Sequence, residues 1–259
     1  AYEMGITRLL YSLPWLLAIL PFIAWPKVDK TFFLCLTALL PLETTAFLCY
    51  MKAIKISPLS LTLPFLSFTP VFILITGRII LGESVSYIGL TGVLCIVAGA
   101  YLMNLSKAKA DVLAPFKAII REPGSRLMLF VSFLYSLTSP LGKLAILHSS
   151  PSFFAAVYYL VLTVFILCLM PAFSGARMRS VLINPKAGIV LGLIMALMIT
   201  SHMLSISMTQ AVYMIAIKRM STVFGVLYGA WIFHEEKITE RFFGTLTMLL
   251  GVMLIYWYG

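Results

Sequence analysis

The chain has 259 residues, 61% of them hydrophobic and 11% charged, with a formal net charge of +10. A soluble domain of this length carries about a quarter charged residues, so a soluble enzyme or nucleic-acid-binding module is excluded. The bases sit mainly in short loops between apolar runs, where they read as topology signals rather than as a nucleic-acid footprint.

Runs close to the ~20 apolar residues that cross a bilayer follow one another along the chain, and each predicts a membrane helix. The first covers 9–25, just after Arg8. The second, 32–50, holds Glu43, the acid placed inside a span, with Thr44 and Thr45 beside it and Tyr50 at its end. The third and fourth cover 58–77 and 86–104. The fourth carries Gly92 and Gly99 almost two turns apart, on one face suited to close helix approach. Glu83 precedes that helix, where a carboxylate favours the positive amino end.

Residues 106–126 form the one long polar stretch, with Pro115 and Pro123 among Lys107, Lys109, Asp111, Lys117, Arg121, Glu122 and Arg126. It predicts a boundary between a first unit, 1–105, and a second, 127–259. For 112–120, a solvated connector and a short amphipathic helix on the lipid surface are both open. Beyond it lie 127–147, with Tyr135 and a terminal Lys143 expected to snorkel, 153–171 with Tyr158 and Tyr159, and 188–207 with His202. The run 209–232 carries Tyr213 and, near its middle, Lys218 and Arg219; 242–258 carries Gly244 and Gly251. Cys35, Cys49, Cys95 and Cys168 fall inside spans without metal-type spacing and read as small apolar packers.

The two units are copies. Glu83, Gly92 and Gly99 recur 152 positions later as Glu235, Gly244 and Gly251, and Phe72 and Gly77 recur as Phe224 and Gly229. The second copy has five spans and the first four, which predicts a ten-helix protein whose first helix is absent from this sequence. An odd number of spans per copy places the copies in opposite orientations. The fold class expected is therefore all-α, a polytopic bundle of two inverted five-helix repeats. Loop bases such as Arg8, Lys52, Lys55, Lys107, Arg126, Arg177 and Lys237 fall on one side, against Lys27, Lys30 and Arg78 on the other, which puts the carboxyl terminus outside.

Particular residues carry a family resemblance. The stretch Ala53-Ile54-Lys55-Ile56-Ser57-Pro58, then Pro70-Val71-Phe72, the Gly82-Glu83 turn and the Gly92/Gly99 helix resemble EamA-type proteins of the drug/metabolite transporter superfamily. The second copy repeats the turn as Glu235-Glu236 and the glycine helix as Gly244/Gly251. The resemblance implies ten helices in two inverted repeats around a central cavity, with both termini cytoplasmic, at odds with the base count. Orientation therefore stays open. The adjacent Lys218-Arg219 is similar to the pair that holds the substrate phosphate in the triose-phosphate translocator branch.

The chemistry inside the membrane points the same way. A cation at mid-bilayer costs roughly 2.5–3.5 kcal/mol on insertion scales, and two adjacent ones repel. A bound phosphate or carboxylate offsets both terms, with bidentate bonds to Arg219 and a point charge from Lys218. The structural alternative pairs them with Glu43, but one carboxylate cannot neutralise two bases. Tyr50 and His202 fall on each other under the repeat and are candidate substrate contacts, as are Tyr158 and Tyr213. Glu43 also invites a role as proton carrier.

The function expected is secondary active transport of a small anionic organic metabolite by alternating access, as an exchanger. The alternative is a proton-coupled exporter of amino acids or neutral or cationic drugs. The spans lack the clustered acids, bases and metal spacings of an intramembrane enzyme, and no Walker-type loop occurs. Neither cofactor nor metal is expected, and the partners are the substrate and the lipid bilayer. A monomer suffices and a dimer is compatible. The expected location is the inner (plasma) membrane.

Overall fold

A bilayer leaves backbone amides no water to bond, so each spanning segment must satisfy its own ladder. A computed structural model of the chain describes residues 2–57, 62–105, 122–173, 185–221, 224 and 238–258. Among these it contains nine α-helices, two short 3-10 segments and no strand. The helices are α1 (Tyr2–Leu17), α2 (Lys30–Ile56), α3 (Thr69–Leu81), α4 (Tyr87–Leu105), α5 (Pro123–Leu147), α6 (Pro151–Phe173), α7 (Pro185–Met208), α8 (Ala211–Lys218) and α9 (Ile238–Tyr258). The 3-10 segments are Leu20–Phe22 and Leu63–Phe68. Five helical stretches are long and apolar enough to cross a membrane, Tyr2–Phe22, Lys30–Ile56, Pro123–Leu147, Pro151–Leu169 and Pro185–Met208. The protein is a polytopic helical membrane bundle.

Local chemistry sets the helix starts. α5, α6 and α7 each open on proline, whose missing N–H and fixed φ suit a first turn. Asp29 Oδ1 accepts the Phe32 amide at 3.0 Å at the head of α2, and Ser86 Oγ accepts the Gly89 amide at 2.9 Å at the head of α4. The cap of α4 is thus Ser86, not Glu83 as the sequence spacing implied. α3 ends where Gly82 takes a left-handed φ of 68° and its amide bonds the Arg78 carbonyl. A side chain is disfavoured in that conformation.

Hydropathy runs and helix bounds differ most at three places, the first being the run 58–77, which becomes the 3-10 segment Leu63–Phe68 followed by the shorter α3, Thr69–Leu81. α1 starts well before the apolar run at residue 9 and takes Arg8 inside the helix, half-buried. Arg8 is therefore not the loop base the hydropathy pattern makes it. The run 209–232 becomes the eight-residue α8 and a turn at 219–220; apart from Ser221 and Phe224, its remainder lies outside the described residues. So do the linker residues 106–121 and Glu235 and Glu236.

The helices sort into two compact units that do not follow the repeat boundary. Unit one holds residues 1–51 and 141–209, and unit two holds 52–140 and 210–259. Each unit takes helices from both sequence copies. The repeat boundaries and these packing units are two different divisions of one chain.

In unit one, α1 packs on α6 and α7. The crossing with α7 uses Gly188 and Gly192: a Cβ at Gly192 would lie 2.1 Å from the Tyr11 carbonyl oxygen, and one at Gly188 2.7 Å from the Tyr11 ring. This small-xxx-small spacing was visible in the sequence and is a further packing motif. Trp25 of the α1–α2 connection and Phe32 in the first turn of α2 pack on Phe153, with ring centroids 5.7 and 6.0 Å away. Asp29 Oδ2 there lies 2.8 Å from His148 Nδ1. The Phe32 amide foremost, then His148, hold the Asp29 carboxyl below its usual 3.8. Lys143 bonds the exposed Thr209 carbonyl, just past the end of α7, at 2.7 Å.

Unit two is organised by the paired glycine helices. α4 and α9 run antiparallel, and a Cβ at Gly92 would meet the Gly251 carbonyl oxygen at 2.8 Å while one at Gly251 would meet that of Gly92 at 2.6 Å. A Cβ at Gly99 would come within 2.5 Å of the Gly244 oxygen. The first glycine of each copy faces the second of the other, as a local two-fold axis requires. Val93, Ile96, Ala100 and Met248 are fully buried around these contacts. At the other side of the unit, Ser57 at the end of α2 bonds the Glu122 carboxylate and accepts the Gly124 amide at 3.2 Å, fixing the start of α5.

Two outcomes follow from this packing. Gly92→Ala should cost about 1–3 kcal/mol by overpacking and Gly92→Leu should abolish the folded peak, both read by thermal unfolding with size-exclusion in detergent. For Asp29, whose folded value lies below its unfolded one, the stabilising contribution is complete above about pH 5 and lost as pH falls through the folded value. Asp29→Asn should flatten that acid-side loss in unfolding scans taken between pH 6 and pH 3.

Candidate functional site

α8 carries the basic pair, and its construction starts from its length. Eight residues are too few for a helix to be stable alone, so neighbours must supply what the short ladder lacks. Ala211, Val212, Tyr213, Ile215 and Ala216 are buried, against α3 and α4. Gln210 occupies the N-cap position without a side-chain cap bond of its own. The cap comes from elsewhere: Glu83 Oε2 accepts the Ala211 amide at 2.9 Å, and Gln210 Nε2 donates to the Ser84 carbonyl at 3.1 Å. Sequence proximity assigned Glu83 to α4; the fold gives it to a helix of the other copy.

At the far end the ladder changes. The Arg219 amide bonds Ala216 O at 3.0 Å and the Met220 amide bonds Ile217 O at 2.8 Å, a tightening to i→i−3 bonds of the kind found where helices are interrupted. Lys218 lies in the last turn of α8, where the carbonyl end favours a cation. Lys218 is exposed and Arg219 half-buried.

Arg219 Nη2 donates to Thr69 Oγ1 at 3.0 Å. Thr69, 1% exposed, is the first residue of α3. Its hydroxyl lies 2.7 Å from the Leu66 carbonyl oxygen and 2.9 Å from Ser132 Oγ on α5. A hydroxyl has one proton and two lone pairs, so the assignment that satisfies all three contacts has Thr69 donating to Leu66 O and accepting from Arg219 and Ser132. Thr76 Oγ1 repeats the link one level on, with the Ser136 carbonyl at 2.6 Å. A neutral hydroxyl orients the guanidinium without neutralising its charge.

Of the other sequence candidates, Tyr213 shares α8 but turns onto α4. A Cβ at Gly89 would lie 2.0 Å from its hydroxyl oxygen, and Tyr213 is 2% exposed. Gly89 makes the space Tyr213 occupies. Glu43, Tyr50, Tyr158 and His202 belong to the other unit. Tyr158 is buried and stacked on Phe154 at 4.9 Å and 6°. Tyr50 and His202, on α2 and α7, are both half-buried. Glu43 and Arg8 both act electrostatically on Tyr159, and Arg8 Nε is buried with no hydrogen-bond partner among the described residues. Arg8 is thus a half-buried base within a helix that hydropathy did not reveal. The four cysteines are free.

Comparison with known proteins bears on this arrangement. Residues 1–105 match the EamA-like transporter family, the stretch expected to form the first copy. No curated protein matches the chain. One crystal structure of a protein superposes with a TM-score of 0.77 at 12% identity, covering 98% of this chain and 88% of that one; that likeness shows a shared fold. With its membrane helices, the family match supports a membrane transporter of the drug/metabolite kind, acting on a small molecule within a lipid bilayer.

Thr69→Val keeps the shape but leaves Arg219 and Ser132 without their shared acceptor. It should cost about 1–3 kcal/mol, read as a lowered unfolding temperature in detergent, whereas Thr69→Ser should stay near wild type.

Proposed function

We propose that the chain is a secondary transporter that carries a small anionic organic metabolite, bearing phosphate or carboxylate, by alternating access and as an exchanger. The observation that carries this reading is the Lys218/Arg219 pair at the end of α8, with Arg219 oriented by an uncharged hydroxyl. Magnitudes favour an anion. A cation held at mid-bilayer costs roughly 2.5–3.5 kcal/mol, while the carbonyl end of a helix returns only about 0.3–1 kcal/mol to a cation at an exposed site such as Lys218. An incoming phosphate takes two parallel bonds from Arg219 and a point charge from Lys218. Its departure takes that negative charge away from the pair, which disfavours the empty carrier from reorienting and couples outward to inward movement.

Within its own unit Glu43 acts on Tyr159 together with Arg8. That same grouping favours the runner-up reading, a proton-coupled exporter of amino acids or neutral or cationic drugs, in which Glu43 carries the proton. The two readings differ in what empty vesicles do.

In a stabilisation screen of the purified protein, phosphate esters and carboxylates should raise the unfolding temperature where neutral amino acids do not. Lys218→Ala or Arg219→Ala should abolish the rise. Liposomes loaded with no counter-substrate should take up the anion far more slowly than loaded ones. Equal uptake into empty liposomes, driven by a pH gradient, would overturn the exchange reading in favour of proton coupling.

A further inference from the structure

α3 holds α8 at both ends. Thr69, its first residue, bonds the Arg219 guanidinium, and Glu83, two residues past its last, bonds the Ala211 amide. At a helical rise of 1.5 Å per residue, α3 from Thr69 to Leu81 spans about 18 Å and α8 from Ala211 to Lys218 about 10–11 Å. The Arg219 side chain, reaching roughly 6–7 Å, makes up most of the difference. The guanidinium therefore has little slack: where it sits along α3 is set by the axial position of α8, and that position is set at the amino end.

The amino-end contact is suited to this. A carboxylate accepting a backbone N–H at a helix amino terminus gains from both the charge-assisted bond and the helix dipole. Gly82, in its left-handed conformation, turns the chain off α3 so that Glu83 can reach across. Ser84 adds a second hold through Gln210. Tyr213, wedged on Gly89, fixes rotation about the helix axis.

We propose that Glu83 is a positioning residue for the Lys218/Arg219 pair, acting through α8 rather than on the substrate. The inference rests on the anion reading given above for its functional consequence, while the mechanical part stands on the contacts alone. It assigns the acid of the first copy to the helix that bears the basic pair of the second.

The test uses the whole chain in nanodiscs with Glu83→Ala, Glu83→Asp and Glu83→Gln. Hydrogen exchange of the 211–218 amides reports the clamp, and the inorganic phosphate concentration giving half-maximal thermal stabilisation reports the pair. Glu83→Ala should speed exchange in 211–218 while amides of α4 stay protected, and raise half-saturation about tenfold. Glu83→Asp should recover part of both, a rescue that general loss of packing would not show. If Glu83→Ala does not fold, Glu83→Gln, which keeps shape and acceptor, should still raise half-saturation about threefold. Unchanged exchange in 211–218 overturns the clamp. Faster exchange with unchanged half-saturation overturns the positioning role. Should phosphate fail to stabilise the wild type, the anion reading falls, and the exchange data alone decide the clamp.

Discussion

Between helices in lipid there is no hydrophobic gain to draw on, because lipid tails are as apolar as leucine. Contact distance has to supply the attraction instead, and in unit two the glycine faces of α4 and α9 supply it. Each places a backbone carbonyl where the other would have a side chain. Everything nearby inherits that register: Tyr213 packs on Gly89 of α4, α8 lies on α3 and α4, and the basic pair follows at the end of α8. A methyl group at one glycine would therefore be felt along α8 as well as between α4 and α9 themselves.

Around that frame the polar groups divide by purpose. The hydroxyls of Thr69, Ser132 and Thr76 tie α3 to α5, replacing with directed bonds what apolar contact gives in water-soluble cores. The charged groups mostly act at helix ends: Asp29 at the head of α2, Glu83 at the head of α8, Lys143 at the carbonyl just past α7, Lys218 in the last turn of α8. Each sits where a helix offers the complementary partial charge. Arg8 and Glu43 depart from this pattern, since both lie within helices of unit one.

Much of the fold was legible in the residues because hydropathy and helix length are tied by the thickness of the bilayer. The spans near α2, α4, α5, α6, α7 and α9 follow the apolar runs closely, and the glycine repeat announced the α4–α9 face. Arg8 was misplaced because a hydropathy run stops at a charge, whereas a helix does not. Glu83 was given to the wrong helix because spacing along the chain shows only sequential neighbours, and its partner lies in the other copy. The short α8 was hidden inside a longer apolar run, since the tightening at Arg219 and Met220 leaves no mark in composition. The basic pair was legible as chemistry; its hydroxyl partner Thr69, sequence-distant and chemically ordinary, was not.

The acid at the head of α8 has a bearing on how the two halves of the gene depend on each other. Glu83 is encoded in one half and Ala211 in the other. Severing the chain in the linker and expressing only 127–259 would leave the helix that ends at Lys218 without the acceptor of its first amide, however well the remaining helices folded. A helix of one half is thus completed by a carboxylate of the other.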